Sequence, residues 1–103
     1  MIRIENAKKY KGDGFRVGRP SPLGNPFKED AQHSRADVIE QYREWLLKQL
    51  ESDTPTYKAF MVLLDYYTEY HEMTLICCCE PLQCHAEVIR DFILDIEELK
   101  RGI

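Results

Sequence analysis

Met73-Thr74-Leu75-Ile76-Cys77-Cys78-Cys79 is the stretch on which the fold turns. It is apolar and too short for a helix of its own, so it reads as a buried strand. Glu80-Pro81-Leu82-Gln83-Cys84-His85 follows, and then a helical pattern from about His85 to Arg101. Val88, Ile89, Phe92, Ile93, Ile96 and Leu99 form the inward stripe of that helix, and Gly102 suits its stop.

Working back from the strand, two further amphipathic helices come into view. Thr54 with Pro55 at the first helical position starts one, whose stripe is Tyr57, Phe60, Met61, Leu64 and Tyr67. Ser34, with Asp37 three residues on, starts the other as an N-cap in a capping-box-like pattern. Its stripe is Val38, Ile39, Tyr42, Trp45, Leu46 and Leu50. Nearer the N-terminus, Ile2-Arg3-Ile4 and Phe15-Arg16-Val17 alternate as short half-buried strands, the second expected as a hairpin partner of the first. Three prolines and two glycines make Gly18 to Phe27 a shaped loop. Strand, two helices, strand, helix is a crossover arrangement, so the last strand should run parallel to an N-terminal one. The expected class is α/β: a small Rossmann-like layered domain over residues 1–103, with a short, mostly parallel sheet and about three helices.

Composition sets bounds on partners. Hydrophobic residues make up 44% and charged residues 31%, a globular balance. No run approaches the roughly 18 apolar residues of a membrane helix, and the N-terminal residues lack the pattern of a signal peptide, so a cytoplasmic protein is expected. Residues 1–28 carry seven basic and two acidic side chains, whereas the remainder carries seven basic and sixteen acidic. A basic quarter on an acidic body points to an anionic ligand near that quarter, with solvated surface charge as the plain alternative. The acidic helices argue against extended duplex binding.

The strand-to-helix junction is the first candidate site. Ligands of open parallel sheets collect beyond the carboxyl ends of strands, where unpaired amide N–H groups and the helix dipole favour an anion. Cys79 and Pro81 would line such a site, with Cys84 and His85 beneath the ligand as nucleophile and acid–base partner. The same field would lower the pKa of Cys84. The plainer reading makes the cysteines small buried hydrophobes. A zinc ion held by Cys77, Cys79, Cys84 and His85 would need donors two apart on a strand and adjacent at a helix start to converge. That spacing is poor, and no cofactor is expected. The loop is the second candidate. Gly18 and Gly24 permit backbone shapes closed to other residues, Arg19 offers a forked donor, and Asn25 both donates and accepts. The alternative is a rigid turn with Phe27 plugging the core.

Taken together, Val17-Gly18-Arg19, Gly24-Asn25-Pro26-Phe27, Tyr42 and Cys77-x-Cys79-x-Pro81-x-x-Cys84-His85 resemble the domain of unknown function family 4326, a group of small bacterial and bacteriophage proteins. The resemblance spans nearly the whole chain. Members commonly carry an aromatic where this chain has Cys78, and Gly where it has Ala86. It implies the α/β fold and the two-segment site, and it leaves the function open. The leading expectation is a domain that binds, with or without processing it, a nucleotide or related anionic small molecule, with Arg19 and Asn25 closing over Cys84 and His85. The rival is a non-enzymatic interaction protein, such as a phage factor that binds a host protein through its acidic helices.

Overall fold

The computed structural model describes residues 1–77 and 84–102. Its elements are β1 (Ile2–Asn6), β2 (Phe15–Arg16), α1 (Arg35–Gln49), α2 (Pro55–Tyr70), β3 (Met73–Cys77) and α3 (Ala86–Arg101). Cys78 and Cys79, expected at the end of the last strand, and Glu80 to Gln83 lie outside the described residues.

All three strands are parallel, in the order β1-β3-β2. The expected hairpin between the two N-terminal strands is therefore corrected: β2 joins the far edge of β3. Burial explains the order. Leu75 and Cys77 are almost fully enclosed, so β3 takes the centre, while β1 and β2 carry Arg3, Glu5 and Arg16 at the edges. Asn6 lies opposite Cys77 and Phe15 opposite Leu75, so the chain steps back by only two residues while it crosses to the other side of β3. Eight residues suffice for that passage. Gly14 is required in it, because a Cβ there would stand 2.9 Å from the Thr74 carbonyl oxygen and 3.0 Å from the Ile76 side chain.

Alternation along the strands turns Ile2, Ile4, Phe15, Met73, Leu75 and Cys77 to one face. Buried residues of all three helices join that face in a single core, including Tyr42 and Leu46 of α1, Phe60 and Leu64 of α2, and Ile89 and Ile93 of α3. The other face carries Arg3, Glu5, Arg16, Thr74 and Ile76. Among the described residues the helices thus cover one face of the sheet, and the likeness to a doubly wound fold is loose.

Helix boundaries follow local chemistry. Ser34 caps α1 with a complete capping box to Asp37, and Thr54 caps α2 ahead of Pro55. The α2 stripe also includes Leu63, which is buried. At the far end of α3 the expected stripe fails. Leu99 is 69% exposed, and Glu97 turns inward instead, accepting a hydrogen bond from Thr68 at 2.5 Å. That bond, followed by the neighbouring Lys100, holds the Glu97 carboxyl below its usual range despite burial. No helix among the described residues is long and apolar enough to cross a membrane.

Candidate functional site

The loop after β2 is held by every helix. The Ser21 N–H donates to the Gly18 carbonyl at 2.9 Å and the Gly24 N–H to the Ser21 carbonyl at 2.8 Å, forming two successive turns, the first with a cis Arg19–Pro20 bond. These turns leave inward carbonyls that need donors. Tyr42 of α1 donates its hydroxyl to Leu23 O, Thr56 of α2 to Pro22 O, and His85 at the start of α3 donates Nε2–H to Val17 O, each at 2.7 Å. A carbonyl only accepts, so this bond fixes the His85 proton on Nε2 and leaves Nδ1 as an acceptor. Asn25 returns the tie by donating to Val38 O at 3.4 Å, while its Oδ1 accepts the Phe27 N–H at 2.9 Å.

Cys84 and His85 are both buried, at 1% and 6% exposure. The Cys84 Sγ stands 3.0 Å from the Cys77 Sγ and 3.5 Å from His85 Nδ1. Burial lowers the His85 pKa first and foremost, with the Arg19 charge adding to it and the Val17 bond opposing. The downward shift favours the neutral ring. Tyr42 packs edge-on to it at 5.0 Å, and burial pushes the Tyr42 hydroxyl pKa far up.

One expectation about this helix start is overturned. Its N–H groups were to be unpaired and open to an anion. Instead the Cys84 N–H donates to the Glu87 carboxylate at 2.9 Å, and the Ala86 N–H faces the Cys84 Sγ at 3.4 Å. Glu87 and Val88 donate to the Cys84 and His85 carbonyls. A carboxylate from the first turn of α3 already occupies the favourable end of the helix dipole. Among the described residues, the positive charge near this helix start comes from side-chain cations.

Those cations surround one hollow of about 470 Å³. Gly18, Arg19 and Asn25 from the loop and Cys84 and His85 from the start of α3 line it together, so the two candidate segments are neighbours. Gly24 does not line it. It lies under Arg19, where a Cβ would come within 2.8 Å of the Arg19 backbone nitrogen. Phe27 is not in the core but walls the hollow, alongside Val38 and Ile39 of α1. Cys79 and Pro81 lie outside the described residues. Sequence reasoning missed Lys28, Glu29 and Arg35 as lining residues. Arg35 carried a signal: a cation at the first position of a helix opposes the dipole, and here Glu29 pairs with it at 3.1 Å. Among the described residues Arg19 and Lys28 form no ion pair.

The thiol and imidazole have the order needed for proton transfer from Sγ to Nδ1, yet the charged pair that would form is disfavoured by the burial that keeps His85 neutral. Of the residues considered for zinc, Cys77, Cys84 and His85 are described. No group of three or more His, Cys, Asp or Glu among the described residues is placed to hold a metal ion.

This parallel three-stranded α/β layout, with a glycine- and proline-shaped loop against a Cys-His helix start, defines a small α/β domain with a hollow between loop and helix. The chain belongs to the family described as Domain of unknown function (DUF4326), whose model matches residues 2–95. No curated protein and no solved structure matches it.

Proposed function

We propose that the hollow binds an anionic small molecule carrying a phosphate, a nucleotide being the class that suits its walls. Arg19 and Lys28, two cations without an internal counter-ion among the described residues, line a hollow whose apolar walls are Phe27, Val38 and Ile39 and whose one carboxylate, Glu29, is paired with Arg35; this observation carries the reading. The phosphate meets the forked guanidinium of Arg19 and the ammonium of Lys28, and the apolar wall takes the flat, less polar part of the ligand. His85 supports the rim by holding Val17 rather than by touching the phosphate. Processing of the ligand by Cys84 is a second reading, favoured by its 3.5 Å contact with His85 Nδ1.

An NMR titration with AMP, ADP and inorganic phosphate tests the proposal. Amides of Gly18, Arg19, Lys28 and Cys84 should shift together, and Arg19→Ala should weaken binding about tenfold, the loss of one charge-assisted contact. No coordinated shift at about 10 mM ligand, a level that would fill even a ~1 mM site, refutes it. For the second reading, alkylation of Cys84 by iodoacetamide, read by peptide mass, should be faster than global opening allows; labelling only at the unfolding rate removes it.

A further inference from the structure

Away from that hollow, a second one of about 370 Å³ sits where β2 meets the C-terminal end of α2 and the start of β3. Phe15 and Tyr66 wall it, their rings edge-to-face with centroids 5.0 Å apart. The exposed Tyr70 packs against Tyr66 in a tilted pair, centroids 4.6 Å apart, and extends the aromatic surface. These rings are not fully committed to the core: Tyr66 is 38% exposed. Asp13 and Glu72 stand on the rim, and neither forms an ion pair among the described residues.

The chemistry is the reverse of the first hollow. Aromatic walls shed water and carry negative charge density over their faces, which favours a weakly hydrated organic cation over a small metal ion. Two carboxylates on one rim supply charge for two ammonium groups. The volume lies at the small end of the usual range for ligand sites, roughly 300–1,000 Å³. The geometry points to this hollow as a binding site for a small aliphatic diamine, its methylene stem against Phe15 and Tyr66 and its ammonium groups toward Asp13 and Glu72. Loss of anion binding at the first hollow leaves this assignment untouched, since the two share no lining residue.

The probe is 1,4-diaminobutane, titrated at constant ionic strength while amide shifts are followed. Shifts should centre on Gly14, Phe15, Tyr66 and Thr74, and butylamine should bind several-fold more weakly. Glu72→Gln and Asp13→Asn should each erase that preference for the diamine. Tyr66→Ala should weaken diamine binding about threefold to fivefold, the scale of one cation–aromatic contact. Both acidic positions are exposed, so those variants keep the fold whatever Tyr66→Ala does. Equal affinity for diamine and monoamine, or shifts spread over the acidic helices and matched by sodium chloride, overturns the assignment.

Discussion

Acidification from pH 7 to pH 5 should destabilise this protein, and His85 should be the residue responsible. Its folded pKa is lowered by burial, while the unfolded chain protonates near the ordinary 6.5. The unfolded state therefore binds more protons below that value, and stability is fully present above it and lost as pH falls through it. For a ring that stays neutral when folded, the loss reaches at most about 1.9 kcal/mol between pH 7 and pH 5. Any protonation of the folded form makes it smaller. The assay is urea unfolding followed by fluorescence of Trp45, the only tryptophan, whose ring lies 5.5 Å from that of Tyr42. His85→Gln keeps an N–H for Val17 O but cannot titrate, so its stability should change by less than about 0.5 kcal/mol over the same range. A variant with the same pH dependence as the parent, or a parent more stable at pH 5, would refute the reasoning.

Other substitutions probe the same architecture. Tyr42→Phe keeps the ring but strands the Leu23 carbonyl, and denaturation should show a loss of about 1–3 kcal/mol. Gly24→Ala drives a Cβ to 2.8 Å from the Arg19 backbone; it should cost at least about 1 kcal/mol and displace Arg19, visible as weakened anion binding. Glu87→Gln leaves an acceptor for the Cys84 N–H but removes a negative charge from the start of α3. Calorimetry should then find anions bound about twofold to fivefold tighter, with stability lowered by about 0.3–1 kcal/mol.

Much of the fold was legible because short-range chemistry decided it. Ser34 with Asp37, and Thr54 with Pro55, mark helix starts whatever lies around them, and the apolar run at Met73 announces the central strand. The partner of Phe15-Arg16 was not legible, since two residues carry no signal of direction; competition for the middle of the sheet settled it. Leu99 misled for a related reason. Periodicity assigns a face, but at the end of α3 the inward position is taken by Glu97, which has Thr68 to satisfy it. At the site, the meeting of the loop with Cys84 and His85 could be inferred from topology. The cost of that meeting could not. Long-range packing alone decides that Glu87 fills the helix start, that Asn25 spends its amide on Val38, and that Lys28 and the Arg35–Glu29 pair line the hollow beside Arg19.

The segment from Val17 to Gly24 borrows its shape from three separate helices through Tyr42, Thr56 and His85. A segment fastened at three independent points has no partial release: letting go of one leaves the other two in place. Its amides at Ser21 and Gly24 should accordingly exchange with deuterium only when the whole molecule opens. The ligand proposed for this rim would then find it already in its final form, and would surrender little affinity to ordering the protein around it.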